Sequence, residues 1–438
     1  MLKPKSLKLW GIVALTALIG ACSSDKVLPE GKRISVLDQV ALIKPDVANG
    51  KAQIKIPAAE RNTEWLQNEK NAQHLTGNIA AGLNFQKQWK TDFGKGNSKR
   101  EFLLGKPIVA NGTVYMVDAA GKVSAFDLKN GKEIWNVKIQ PENKRAKDTA
   151  IKGVGLAMAD NIIYIVTGFG YVIALNSDKG EKLWESNLET PLRIAPTADD
   201  GKLFVQSIDN KFFALNAKTG EVLWDYDIAM ESTTVVGGAS AAYHKGFDVV
   251  ITGFSNGEIQ SFNAAFGTPL WSDVLVDNRR AYSSTFLHAI KASPIVEGEK
   301  VYVLGSSDVL ACIDIRTGAR KWEKEIGGVN TPLLAENVLY VVTKDKDLAA
   351  INKDNGDVLW STGIDLGKKA SSLAVFEPLM INDKLVLTVS DGRVFIYDAK
   401  TGTKTEEFDL DEKFNAAPIA AGGYLIFTTS NAKLIAYK

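Results

Sequence analysis

The sequence predicts an all-β fold, a β-propeller of eight four-stranded antiparallel blades whose last blade is completed by both ends of the repeat region. Three observations predict it: a phrase of fixed spacing that recurs along the chain, a separate set of β-rich runs, and a tryptophan strand around Trp89 with no blade in front of it. Internal repetition outranks local propensity, because a unit that cannot bury its own face must stack on copies of itself.

The phrase is a short, mostly apolar pair, an Asp or Asn, three residues, Gly, three residues and Trp. It appears as Ala125-Phe126-Asp127 with Gly131 and Trp135, Ala174-Leu175-Asn176 with Gly180 and Trp184, and Ala214-Leu215-Asn216 with Gly220 and Trp224. It returns as Ser261-Phe262-Asn263 with Gly267 and Trp271, Cys312-Ile313-Asp314 with Gly318 and Trp322, and Ala350-Ile351-Asn352 with Gly356 and Trp360. A further copy, Ile396-Tyr397-Asp398 with Gly402, places Glu406 where Trp is expected. Each copy reads as strand, turn, strand: the Asp or Asn bonds its own downstream backbone and Gly supplies a positive φ. The indole then fills the space between neighbouring sheets, a packing role that needs no ligand.

The second count ignores tryptophan. β-rich runs start at Val114-Tyr115, Ile162-Ile163, Leu203-Phe204, Val249-Val250, Val301-Tyr302, Leu339-Tyr340, Leu385-Val386 and Leu425-Ile426. Runs of this kind between Gly, Asn or Asp turns are strands. Both counts give units of about 38 to 51 residues, enough for a four-stranded blade. At the chain's end, Lys433 to Lys438 read as a third strand that stops before its tryptophan strand, and Gln88-Trp89-Lys90 supplies the missing one. The propeller is therefore expected over residues 86–438, with a last blade made of about 414–438 and about 86–93.

The first residues behave differently. Lys3, Lys5 and Lys8 precede a nearly uncharged run from Leu9 to Ala21, which reads as a signal peptide over residues 1–21. That run is shorter than the roughly 20 residues a spanning helix needs. Leu18-Ile19-Gly20-Ala21-Cys22 resembles the lipobox of bacterial lipoproteins, with Cys22 as the acylated residue; a plain signal peptide that happens to hold a cysteine is the alternative. Ser23 and Ser24 follow, and by resemblance to enterobacterial sorting the lack of Asp there implies the periplasmic face of the outer membrane, reached through the lipid. Residues 22–60, with scattered Pro29, Pro45 and Pro57, read as a lipidated flexible tether. Residues 61–85 read as an N-terminal extension packing on the propeller, with Trp65 against its base.

Without residues 1–21 the chain keeps 49 basic against 51 acidic residues, which gives no electrostatic case for nucleic acid. Cys312 is then the one cysteine not committed to lipid, and it reads as a buried small hydrophobe. His74, His244 and His288 are the available histidines, and none falls in a zinc-binding spacing. A Gly-x-Ser-x-Gly nucleophile elbow is absent, which argues against a hydrolase.

The Asp/Asn-x-x-x-Gly-x-x-x-Trp copies, across residues 86–438, resemble those of pyrroloquinoline quinone (PQQ) propellers. Two branches share them: the quinoprotein dehydrogenases, and the non-enzymatic BamB family of lipoproteins in the outer-membrane β-barrel assembly (BAM) machinery. The enzyme branch uses a vicinal cysteine disulfide, a calcium ion and a catalytic Asp, and this chain has one uncommitted cysteine and blades of near-minimal length. The lipobox, tether and size resemble the BamB branch. That branch implies no catalysis and no cofactor, and docking of interblade loops to a POTRA domain of the barrel-inserting protein BamA, with other BAM lipoproteins and nascent outer-membrane proteins as further partners. A PQQ-dependent dehydrogenase and a periplasmic protein- or glycan-binding propeller remain the alternatives.

In the BamB family a Leu-Arg pair lies in such a loop, and Pro191-Leu192-Arg193 is its counterpart by resemblance. Leu192 would fill an apolar notch and Arg193 would form a bidentate pair; a solvated Arg beside a Leu that merely staples two blades is the other reading. The family's acidic residues in the next loop are not evident, Glu231 being the one carboxylate between Ala229 and Ser240. A longer loop, Val276 to Lys291, carries Arg279, Arg280, Tyr282, Phe286 and His288, an interface-like composition that also suits a loop packed over its own blade.

Overall fold

The computed structural model describes residues 43–46, 53–99, 102–139, 153–192, 194–228, 238–276 and 288–438. Strand β1 (Asn78–Ile79) belongs to an N-terminal segment, and β2 (Lys87–Asp92) pairs with the end of the chain. Blade 1 runs from β3 (Ile108–Ala110) to β6 (Glu133–Lys138), blade 2 from β7 (Gly153–Ala159) to β10 (Lys182–Asn187), and blade 3 from β11 (Thr197–Asp199) to β14 (Val222–Asp227). Blade 4 runs from β15 (Ala242–His244) to β18 (Pro269–Val274), blade 5 from β19 (Ile295–Glu297) to β22 (Arg320–Lys324), and blade 6 from β23 (Leu333–Ala335) to β26 (Val358–Gly363). Blade 7 runs from β27 (Leu379–Ile381) to β30 (Lys404–Asp409). Blade 8 combines β31 (Ile419–Ala421), β32 (Tyr424–Thr428) and β33 (Lys433–Tyr437) with β2, as the two chain ends predicted. The fold is thus the expected eight-bladed propeller.

The repeated phrase is the joint between blades. Asn216 shows the turn: its Oδ1 accepts from Lys218 N at 2.9 Å and Thr219 N at 3.2 Å, and Gly220 follows at φ +77°. Glycine is needed there for a second reason. A Cβ on Gly220 would stand 2.4 Å from Cε3 of Trp184, the tryptophan of the preceding blade. The same ring-on-glycine contact joins Trp89 to Gly131, Trp135 to Gly180, Trp224 to Gly267, Trp271 to Gly318, Trp322 to Gly356 and Trp360 to Gly402. Each indole also donates to the carbonyl just after the next blade's Asp or Asn, from Trp89 to Leu128 O at 2.9 Å through Trp271 to Ile315 O at 2.7 Å. The polar edge of the ring is thereby satisfied while its body is covered. Cys312 is free and fully buried in this core.

Glu406 marks the one joint without an indole, between blades 7 and 8. Phe85 fills it instead: its ring lies 4.6 Å from Phe408 of blade 7 and 6.3 Å from Tyr437 of blade 8. Gln86 and Lys438 exchange main-chain hydrogen bonds at 2.9 and 3.1 Å beside it.

Residues 62–79 form an inner hoop that visits the blades in ring order. Asn62 O accepts from Gly422 N of blade 8 (2.8 Å), Trp65 pairs in both directions with Val109 of blade 1, Leu66 O accepts from Met158 N of blade 2 (2.8 Å), and Gln67 Nε2 donates to Ala198 O of blade 3 (2.7 Å). Ala72 O then accepts from Tyr243 N of blade 4 (2.7 Å) and Gln73 O from Val296 N of blade 5 (3.0 Å), while Leu75 packs into the cluster containing Leu334 of blade 6. Strand β1 finally runs parallel to β27, with Asn78 opposite Met380 and Ile79 opposite Ile381. The four antiparallel strands of blade 7 thus gain the hoop's β1 as a fifth, parallel neighbour. The hoop closes on itself where Glu60 N donates to Asn78 O (3.0 Å) and Ala80 N to Glu60 O (2.8 Å).

The expectation of a flexible tether over 22–60 also needs correction in its described stretches. Asp46 N donates to Val358 O at 2.9 Å, and the Asp46 carboxylate accepts from Val358 N and from Lys324 Nζ, each at 2.8 Å. Gln53 O and Lys55 N bond the Asn337 side chain. Ile43, Ile54 and Ile56 pack against blades 5 to 7. These residues form a strap along blade 6. Cys22 and the signal-peptide residues lie outside the described residues.

Candidate partner-binding surface

The loops that join one blade's fourth strand to the next blade's first share a ring face with the hairpins between second and third strands. Between blades 2 and 3 the loop is tightly held. Thr190 Oγ1 donates to Asp209 Oδ1 at 2.7 Å, Ile208 N donates to Pro191 O at 3.0 Å, and Leu192 bridges to Ser207. Burial pushes the Asp209 carboxyl up, but the hydroxyls of Ser207 and Thr190 outweigh it and hold the group below the usual range.

Leu192 is fully buried in the core shared by blades 2 and 3, and Ile194 is buried as well. This corrects the expectation that Leu192 enters a notch on a partner: its apolar surface is spent inside its own fold, where it fixes the loop. Arg193 lies outside the described residues, as do Glu231, Arg279, Arg280, Tyr282 and Phe286. The near ends of the Val276–Lys291 loop are ordered. Val276 bridges to Ser307, His288 Nδ1 lies 2.8 Å from Ser307 Oγ, and Ile290 N donates to Phe254 O at 3.0 Å. Lys291 is half-buried, and that burial pushes its amine below the usual lysine value.

At the hub the sequence reading missed a buried ionic group. Glu69, on the hoop, accepts from Lys106 Nζ of blade 1 at 3.2 Å, and Lys106 also pairs with Glu377 of blade 7. Thr331 of blade 6 adds a hydroxyl at 3.2 Å to Glu69 Oε1. Burial alone would lower the Lys106 pKa, but Glu377 and Glu69 outweigh it and hold the ammonium above its ordinary value. Burial raises the Glu69 carboxyl, against the pull of Lys106. The signal was present: Lys106, Ala195, Ser293, Thr331, Glu377 and Ala417 each precede a proline that opens a first strand, so they occupy one level of the hub.

His74 completes the hub. It is 2% exposed, and its Nδ1 lies 2.6 Å from Pro294 O, so the neutral ring donates there. Burial lowers its pKa to about 4 from an ordinary 6.5. An unfolded chain takes up this proton below pH 6.5 and the folded chain does not until about pH 4. Stability from this group is thus complete above pH 6.5 and is lost as pH falls toward 4, by about 3 kcal/mol in full. Urea midpoints at pH 7.5 and 4.5 should therefore differ less in His74→Gln than in the parent chain, and an identical acid loss in both would exclude His74 as the source.

The space beside this ionic group is small. The free space among Trp65, Glu69, Lys106, Thr331 and Glu377 is about 20 Å³, room for a single water.

The family described as "Outer membrane protein assembly factor BamB" matches residues 47–152, 122–362 and 344–438. The BamB of Yersinia pestis is 24% identical over 354 residues, covering 80% of this chain and 88% of that protein. The BamB of Escherichia coli K12 is 26% identical over 340 residues, covering 77% and 85%. Among solved structures, BamB from Moraxella catarrhalis superposes with a TM-score of 0.64 at 19% identity, covering 80% of this chain and 98% of that one. The quinohemoprotein alcohol dehydrogenase of Comamonas testosteroni reaches a TM-score of 0.66 at 13% identity, covering 86% and 81%; that likeness concerns the fold alone. With family matches running through all eight blades, the chain belongs to the BamB family of outer membrane protein assembly factors.

Proposed function

We propose that this chain is a non-enzymatic scaffold that assists the folding and insertion of outer-membrane proteins, held at the periplasmic face of the outer membrane by lipid on Cys22. Its partner is a BamA-like barrel-inserting protein, engaged at a POTRA domain through the interblade loops; other BAM lipoproteins and nascent barrel chains are further partners. The observation that carries this reading is family membership along the whole ring.

In this reading the loop between blades 2 and 3 is rigid because Leu192 and Ile194 are buried on either side of Arg193. A pre-ordered loop loses little entropy on docking, which favours binding through it. Arg193→Glu should lower recovery of the barrel-inserting protein after mild detergent extraction by at least about tenfold while leaving the melting temperature unchanged. Equal recovery would remove Arg193 from the surface, and failure of the parent chain to co-purify with any such partner would remove the scaffold reading itself.

A further inference from the structure

A cavity with free space of about 280 Å³ lies between the two limbs of the hoop and the inner strands of blades 5 and 6. Residues 57–62 and 70–79 supply the limbs, Glu297 ends β19, and Glu336 stands in the turn after β23. That turn joins a first strand to a second, so the cavity lies toward the ring face opposite the interblade loops. Its volume is just below the range of about 300–1,000 Å³ typical of sites for drug-sized ligands, which points to a smaller occupant. One wall is apolar, made by the buried Ile79, Leu334 and Ala335.

The polar side chains around it divide into those already satisfied and those not. Asn62 Nδ2 donates to Glu64 O and Ala420 O, each at 2.7 Å, and Asn78 Nδ2 to Pro57 O at 2.8 Å and Asp383 Oδ1 at 2.6 Å. Both Glu297 oxygens accept from Lys353 Nζ, at 2.9 and 2.7 Å. Lys70 Nζ, by contrast, makes one hydrogen bond, to Thr76 O at 2.8 Å, and so keeps donors to spare. Arg61 and Glu336 make no ion pair among the described residues. Lys70 is also held in an uncommon backbone. Its φ is +74°, in the left-handed region that lysine rarely adopts, and the bonds from Lys70 N to Gln67 O (3.1 Å) and Leu66 N to Lys70 O (3.0 Å) keep it there. Burial pushes its amine below the usual lysine value, with Glu60 acting against that. A cation drawn partly out of water with one carbonyl for company is suited to receive an anion.

We propose that this cavity binds a free dipeptide with small apolar side chains, its carboxylate received by Lys70 and Arg61 and its terminal ammonium by Glu336. The two signs of charge around one small space select a ligand that carries both. An inorganic anion would meet Glu60 and Glu336, and a simple cation would meet Lys70 and Arg61. The apolar wall accounts for side chains between the two charged ends. The site lies apart from the interblade loops and goes beyond the scaffold reading.

The test is calorimetric titration of the full chain with alanylalanine, its N-acetyl form and its C-terminal amide. The parent chain should bind the free dipeptide with a Kd below about 1 mM and each capped form at least about tenfold more weakly. In Lys70→Asn the gap between free dipeptide and amide should shrink to less than about threefold, while the gap to the acetyl form remains. Asparagine suits a left-handed backbone, so the turn and the melting temperature should survive that change. In Glu336→Gln the pattern should reverse: the acetyl gap closes and the amide gap stays. A merely structural role would not exchange the two preferences in this way. No binding of the free dipeptide up to about 10 mM, equal binding of all three forms by the parent chain, or both gaps intact in both variants overturns the proposal. So does tighter binding of glycerophosphoethanolamine, a zwitterion of lipid origin, than of the dipeptide.

Discussion

Replacing Lys106 by methionine should destabilise the protein by about 3–5 kcal/mol at pH 7.5, because it strips the cation from the buried Glu69 and the partly buried Glu377. Lys106 is 7% exposed, and its ammonium reaches both Glu69 of the hoop and Glu377 of blade 7. Methionine fills much the same volume, so the loss reports charge and not packing. Glu69 already has a raised pKa from its burial; without the ammonium it would bind a proton more readily still, and the penalty should shrink as pH falls toward 4.5. Combining Lys106→Met with Glu69→Gln and Glu377→Gln should recover most of the lost stability, since the cost lies in uncompensated charge. Urea denaturation measures all three quantities. A single variant within about 1 kcal/mol of the parent chain would mean that the triad is hydrated and carries little weight.

Deleting Leu434 to Lys438 should prevent stable folding altogether. Leu434, Ile435 and Ala436 are fully buried and Tyr437 is 4% exposed, and these residues form the strand that joins β2 to β32. Large buried side chains contribute about 2–5 kcal/mol each when truncated, so the sum rivals the 5–15 kcal/mol by which typical domains are stable. The loss is also topological, because β2 keeps no other partner in its sheet. Circular dichroism and a thermal scan decide the matter: an unchanged melting temperature in the truncated chain would contradict the closure at blade 8.

The blades were legible because their joint is written in side chains. Asn216, Gly220 and Trp224 each do one job that few residues can do, and the same three jobs recur at fixed spacing. The closure at blade 8 was legible for the same reason, through Trp89 and its indole bond to Leu128. The packing of residues 61–85 on the propeller was expected, but the hoop's path from blade to blade was not legible, since most of its bonds use main-chain groups of Asn62, Trp65, Leu66, Ala72 and Gln73, which leave no periodic mark. Phe85 escaped notice because it replaces a tryptophan from the opposite end of the chain. Leu192 was misread because a Leu-Arg pair in a loop looks alike whether the leucine faces outward or is bridged to Ser207 beneath it.

The hoop imposes an order of events on the chain's own folding. Asn62 bonds the carbonyl of Ala420, 358 positions away, so a segment made early finds its final partner only when the last blade exists. Contacts of such long range slow folding, because loop-closure entropy is lost before the contact rewards it. Interactions that form after the rate-limiting step act instead on escape from the native state. A ring threaded in this way assembles late and, once assembled, lets go slowly, so its lifetime is set by a rate of opening more than by an equilibrium.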